Sequence, residues 1–200
     1  MQFLCGQLKN TMENYTKDLE LSLNTLQSGG VLLYPTDTIW GLGCDATNEK
    51  AISKIFEIKK RSPSKTMIML VDSVKMIENY VENPSPLLLN EMKNAESPTT
   101  GIFLKGKNLP SNLIHSDGSI AIRISSDNFC QALLQQFKKP IVSTSANISN
   151  QPSPQNFSEI DPALFKLVDY TVFFRRGDNS KKNPSHIIKI NDFGELERIR

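Results

Sequence analysis

Helical and strand-like segments interleave along most of this 200-residue sequence, and that alternation restricts the fold more than any other feature. Tyr15, Leu19, Leu23 and Leu26 recur at helical spacing, and Gly29-Gly30 closes the run as a C-cap. Residues 31–34 read as a short buried strand. Pro35 stops it and opens a polar loop, Thr36-Asp37-Thr38. A second helix runs from a cap at Thr47 or Asn48 through Ile52, Ile55, Phe56 and Ile58. Residues 66–71 are strand-like, and two short helices follow. One begins near Ser73, the other at Ser85-Pro86, with Ser as the cap and Pro as the first helical residue. Residues 101–105 read as a strand, and Ile120, Ile122 and Ile124 alternate as a strand with one buried face does. Asp127 caps a helix carrying Phe129, Leu133, Leu134 and Phe137, and residues 140–143 enter another strand. A Pro-, Ser- and Asn-rich loop spans 150–156, and late strands are expected over 168–174, 186–190 and 195–199. Helices between strands, with adjacent strands near the end, predict a single α/β domain over residues 1–200 with a mixed sheet flanked by helices.

Two hundred residues bury roughly 70% of their unfolded surface, enough for a core without staples. Hydrophobic residues at 38% and charged residues at 22% exclude collagen, coiled coil and wholesale disorder. Cys5, Cys44 and Cys130 are odd in number, far apart and form no CxxC pair, which argues against a disulfide framework or zinc site. Cys44 and Cys130 sit among apolar residues and read as small core side chains. With only His115 and His186, a histidine metal site or a Ser-His-Asp triad has little material. No apolar run reaches the ~18 residues of a membrane span, and residues 1–11 lack the pattern of a signal peptide. A cytoplasmic protein without membrane partners is expected.

The formal charge of +2 hides a local bias. Residues 49–65 carry six cations (Lys50, Lys54, Lys59, Lys60, Arg61, Lys65) against Glu49 and Glu57. Such a run is either a solvated helix face or an anion site. Lys59, Arg61 and Lys65 lie where the helix ends and Ser62-Pro63-Ser64 turns, so they can converge on one polyphosphate. A second cluster, Ser143-Thr144-Ser145-Ala146-Asn147, follows the apolar Ile141-Val142. It is either a capped turn or a binding site for oxygen-rich ligands at a strand end. Thr36-Asp37-Thr38 is a third cluster of the same type. No GxxxxGK[ST] or GxGxxG motif is present.

Taken together these clusters resemble one family. Residues 30–43, Gly-Val-Leu-Leu-Tyr-Pro-Thr-Asp-Thr-Ile-Trp-Gly-Leu-Gly, look like the opening signature of the YrdC-like proteins. Lys59-x-Arg61-xxx-Lys65 matches the family's KxRxxxK signature and Ser145-x-Asn147 its SxN signature. Ser119-Ile-Ala-Ile-Arg123 looks like its internal strand and Asn183-Pro-Ser185 like its late turn. The likeness covers about residues 20–199, with the pieces in family order. The chain resembles the short bacterial type of L-threonylcarbamoyladenylate synthase, a twisted α/β fold with a concave basic cleft. Members join L-threonine, bicarbonate and ATP into threonylcarbamoyl-AMP and pyrophosphate, the first step of threonylcarbamoyladenosine formation in tRNA.

The resemblance implies roles residue by residue. Arg61 and Lys65 would hold the ATP phosphates, with Lys59 nearby. Ser145 and Asn147 would line the same region, and Ser119, Ser153 and Arg198 match further nucleotide contacts. Thr38, Arg123, Ser143 and Ser185 match positions that hold threonine, with Arg123 on its carboxylate. Mg2+ is expected on the phosphates, bound through substrate oxygens rather than a protein cage. The sequence departs from the family pattern at Leu70 (His in some relatives), Ser119 (Thr in many), Asn150 (Gly), His186 (Thr) and residues 97–100. Expected partners also include tRNA or double-stranded RNA and downstream threonylcarbamoyl-transfer proteins. The rival readings are a double-stranded RNA-binding module and a non-synthase paralogue of the same fold.

Overall fold

Among the described residues, four α-helices begin at a residue whose side chain accepts a hydrogen bond from the first turn. The computed structural model describes residues 2–61 and 67–200, with side chains of the first helix from Glu13 onward. Helix α1 (Gln2–Gln27) ends before Gly29, whose φ of +74° lets the chain reverse. Strands β1 (Leu32–Tyr34) and β2 (Gly41–Gly43) form an antiparallel pair around the polar loop. Helix α2 (Glu49–Lys59) is capped by Asn48, whose side chain accepts from the Ala51 N–H. It closes with Lys60 in the left-handed region and the Arg61 N–H on the Phe56 carbonyl at 3.0 Å. That reversal delivers Arg61 toward the sheet.

Strand β3 (Ile68–Val71) leads to α3 (Val74–Tyr80) and α4 (Pro86–Asn94), capped by Ser73 and Ser85 as the sequence predicts. Strands β4 (Thr99–Phe103) and β5 (Ile120–Ile124) precede α5 (Asn128–Phe137), where the Asp127 carboxylate accepts from the Cys130 N–H. Strand β6 (Ile141–Ser145), two 3-10 turns, and strands β7 (Tyr170–Thr171), β8 (His186–Ile190) and β9 (Leu196–Arg198) complete the chain.

The nine strands of the described residues join one mixed sheet, ordered β7-β1-β2-β6-β3-β5-β4-β8-β9. The pairs β3–β5, β4–β8 and β1–β7 are parallel and the others antiparallel. Ile52, Ile55, Ile77 and Leu88 of α2–α4 pack with Met69, Ile120 and Ile122 in one core. Leu19 and Leu26 of α1 and Phe129 and Leu133 of α5 pack with Leu33, Leu42 and Leu70 in another. Helices thus flank both faces of the sheet, the layered mixed α/β architecture expected from the sequence.

The differences from the sequence reading are local. The sequence reading places no element at β2, because Gly-Leu-Gly has little strand propensity. Its glycines are there for space: a Cβ on Gly43 would lie 2.5 Å from Tyr34 Cε1 and 2.7 Å from the Val142 carbonyl. Strand β6 runs two residues further than the expected 140–143, since Ser145 and Thr144 pair with Gly41 and Leu42. Strand β4 spans Thr99–Phe103 rather than the expected 101–105, because Thr99 pairs with His186. The late strand expected over 168–174 shortens to Tyr170–Thr171. Asn150, which stands where the family favours Gly, has a φ of +71°, a conformation Asn tolerates better than most residues. The turn at Ser62-Pro63-Ser64, Lys65 and the first residue of the strand expected over 66–71 lie outside the described residues.

Candidate active site

The alternation of β5 separates its two jobs. Ile120 and Ile122 enter the core, while Ala121 and Arg123 face a cleft of about 300 Å3. Into the same cleft come Thr38 from the loop after β1, Ser143 and Ser145 from β6, Arg61 from the end of α2, Ser153, and Ser185 from the segment before β8. Seven of the residues singled out from sequence therefore meet in one place. They come from six chain segments, so only the fold assembles them.

Arg61 is half-buried and its Nη1 donates to Thr144 Oγ1 at 3.2 Å. Burial lowers its pKa, but a guanidinium starts so high that it stays charged. Arg123 is 2% exposed and forms a 3.0 Å ion pair with Asp37. It lines the cleft as expected, yet it is already partnered. Thr38 is held in a tight turn, with its N–H on Thr36 Oγ1 at 3.0 Å and the two Thr hydroxyl oxygens 2.9 Å apart. The Ser185 hydroxyl lies 2.8 Å from Thr100 Oγ1.

Lys59 and Asn147 stand behind this wall. Lys59 is 1% exposed and its ammonium donates to the Ser145 carbonyl at 2.5 Å, the Asn147 carbonyl at 2.7 Å and Asn147 Oδ1 at 3.2 Å. Ser145 Oγ donates to Asn147 Oδ1 at 2.5 Å, and Asn147 Nδ2 to the Gln151 carbonyl at 2.6 Å. The ammonium of Lys59 is therefore spent on the strand-to-loop junction. Burial, and secondarily the charge of Arg61, push its pKa down to about 7.

Two expected nucleotide contacts lie apart from the cleft. Ser119 lines an adjoining cavity of about 730 Å3 that shares Ile102 and Ala121 as a wall with the first. Its N–H donates to the Asp117 carboxylate at 2.8 Å; a bond from the Ser119 hydroxyl, and after it this backbone bond, hold the Asp117 pKa down to about 2. Arg198 is exposed on β9 against His186. The arginine that lines the cleft from this end is Arg200, whose guanidinium donates to the Ser185 carbonyl at 3.1 and 3.3 Å. Sequence reasoning passed over Arg200, and it named the polar clusters that contain Asp37 and Thr144 without giving either residue a role. The two-residue alternation of a strand was the one signal that places Arg198 and Arg200 on the same side, without deciding which of them reaches the cleft.

Neither Cys44 nor Cys130 lines the cleft. Cys44 and Cys130 are buried, and desolvation pushes both thiols up, away from the nucleophilic thiolate. Among the described residues, no three His, Cys, Asp or Glu side chains cluster as a metal site. A larger cavity of about 790 Å3, walled by Leu89, Met92 and Ile124, lies near α3 and α4 and gathers no arginine. No helix among the described residues is long and apolar enough to cross a membrane.

Comparison with known proteins agrees with the motifs. The chain is 32% identical over 158 residues to a threonylcarbamoyl-AMP synthase of Xanthomonas campestris, an alignment covering 78% of this chain and 84% of that one. E. coli YciO superposes with a TM-score of 0.78 at 25% identity over 91% of this chain and 87% of its own. P. abyssi Sua5, in a crystal structure complexed with L-threonine, superposes with a TM-score of 0.76 at 21% identity over 91% of this chain. The chain spans about half the length of that protein, 53%. The family described as Sua5/YciO/YrdC, telomere recombination, matches residues 24–200, and the chain belongs to it.

Proposed function

We propose that this chain is an L-threonylcarbamoyladenylate synthase that joins L-threonine, bicarbonate and ATP into threonylcarbamoyl-AMP and pyrophosphate. The observation that carries this reading is the convergence of Arg61 and Arg123 on one cleft, with the polar end of β6 in its wall. A polyphosphate and a carboxylate are the two anions the reaction requires, and a guanidinium suits both.

Threonine's carboxylate sits against Arg123, with Thr38, Ser143 and Ser185 supplying hydroxyls. Its neutral amine adds to CO2 derived from bicarbonate and forms a carbamate. A carbamate oxygen then attacks the α-phosphorus of ATP in line, and the bond to pyrophosphate breaks. Arg61, with Lys65, takes up the charge that grows on the departing pyrophosphate. Ser145, Asn147 and Ser153 belong to the phosphate side and Ser119 to the nucleoside side, for which the adjoining cavity has room; Arg200, which lines the cleft where Arg198 does not, takes the nucleotide contact expected of Arg198. Lys59 serves by holding Ser145 and Asn147 in place. No protein nucleophile is needed, so catalysis is orientation and charge neutralisation.

Mg2+ supplies further neutralisation of the phosphates when bound. The cleft wall offers it hydroxyl oxygens and, among the described residues, no carboxylate, which fits an ion carried in on the triphosphate. The product feeds tRNA modification, and tRNA-modifying proteins that accept the threonylcarbamoyl group are its natural partners, in the cytoplasm. The rival reading of a double-stranded RNA module is less favoured, because a backbone-binding surface spreads its cations over an exposed face. Here two of the three cleft arginines hydrogen-bond into its polar wall.

The decisive experiment is pyrophosphate release from ATP with threonine or bicarbonate omitted in turn. Release should need both, and equal release without either one sinks the assignment. Arg61→Ala should lower turnover by about two orders of magnitude while the protein stays folded.

A further inference from the structure

Asp37 sits behind the cleft wall. It is not part of the lining, but its neighbour Thr38 is. One carboxylate oxygen is 3.0 Å from Arg123 Nη2, in a pair whose side chains are 3% and 6% exposed. The other oxygen is 3.3 Å from both the backbone N–H and the hydroxyl of Ser126, two residues beyond β5. Asp37 is thus clamped on one side and holds the guanidinium on the other. Arg123 Nε and Asp37 Oδ1 are both buried and neither makes a hydrogen bond among the described residues, so the two side chains meet as a charge pair and Arg123 is not saturated with acceptors.

A buried guanidinium with its full charge draws the most highly charged anion within reach. In the proposed reaction that anion is the triphosphate, and the single carboxylate of threonine would lose the competition. Asp37 changes the balance, since the pair keeps N–H donors in fixed directions but carries little net charge. A carboxylate that matches those directions still binds, whereas a polyphosphate loses most of its advantage.

We propose that Asp37 is a specificity-determining residue that aims Arg123 and offsets its charge, reserving it for a singly charged carboxylate and leaving the triphosphate to Arg61. This rests on the synthase reading for the identity of the carboxylate. It does not rest on it for the exclusion of phosphate.

The test uses Asp37→Asn, which keeps the shape and an acceptor for Ser126 but removes the charge. The threonine KM should rise at least about tenfold, while kcat at saturating threonine changes less than about threefold. Inorganic phosphate should inhibit the variant competitively against threonine, and the wild type should show no such competition. Ser126→Ala, which loosens the aim and keeps the charge, should raise the threonine KM by about threefold without phosphate inhibition. An Asp37→Asn protein with unchanged threonine KM, or with KM and kcat spoiled together and no phosphate inhibition, overturns the proposal. If that variant does not fold, phosphate competing with threonine in the wild type overturns it, and absence of competition together with the Ser126→Ala effect supports it. A wild type without threonine-dependent pyrophosphate release refutes the synthase reading instead. Calorimetric titration of inorganic phosphate then still decides the role of Asp37, which requires binding to the variant about tenfold tighter than to the wild type.

Discussion

The ammonium of Lys59, the last residue of α2, holds the backbone carbonyls of Ser145 and Asn147 at 2.5 and 2.7 Å. Two signatures 86 residues apart in sequence are one physical unit. The first lysine of KxRxxxK fixes the SxN segment, and the arginine two residues on faces the cleft beside it.

Lys59→Met should therefore take a donor from three oxygens, of which the Ser145 carbonyl keeps the Asn147 N–H and Asn147 Oδ1 keeps the Ser145 hydroxyl while the Asn147 carbonyl loses the bond outright, costing about 1–3 kcal/mol in stability. Its effect should also depend on pH. The folded-state pKa is depressed to about 7 from an ordinary 10.5, so between those values the unfolded chain binds more protons than the folded one. The contribution of this group makes stability rise with pH through that window and level off above it. Denaturant titrations at several pH values should show that component in the wild type and lose it in Lys59→Met. An identical pH profile in the two proteins counts against a depressed pKa.

Arg123→Ala should abolish threonine-dependent turnover and also weaken the fold. Removing one member of a buried pair strands Asp37 as an unpaired charge, at a cost of about 3–5 kcal/mol. The double variant Asp37→Asn/Arg123→Met should recover part of that stability without recovering activity. Urea midpoints measured on the three proteins decide the point, and a fully stable Arg123→Ala would show that the pair is not buried in solution.

Gly43→Ala probes the close approach of β2 to β1 and β6. The added methyl meets the Tyr34 ring and a backbone carbonyl that cannot move aside, so a loss of about 1–3 kcal/mol is expected. A thermal midpoint equal to that of the wild type would contradict the packing.

Arg200 and Arg198 can be separated by paired substitutions. Arg200→Ala should raise the ATP KM about tenfold, as for loss of a charge-assisted contact, and more than Arg198→Ala does. The reverse order would restore Arg198 as the nucleotide contact.

Much of the fold was legible from residue patterns because local physics sets it. The caps Ser73, Ser85 and Asp127, the choice of Thr47 or Asn48 that the structure resolves to Asn48, and the alternation of Ile120, Ile122 and Ile124 follow from hydrogen-bond and burial periodicities confined to a few residues. The clusters around Arg61, Ser143 and Thr38 were visible as well, since polar residues at strand ends stand out against apolar neighbours. Partnerships were not visible. That Lys59 is turned inward, that Arg123 is neutralised by Asp37, and that Arg200 rather than Arg198 reaches the cleft all depend on strand order and register. Sequence spacing does not encode them, because β2, β3, β5 and β6 become neighbours only when the sheet closes. The sequence by itself determined which side chains were available for anion chemistry and on which kind of element each would stand. The tertiary structure decided which of their charges are used up inside the protein and which face the cleft, because burial and pairing are set by contacts between segments far apart in the chain.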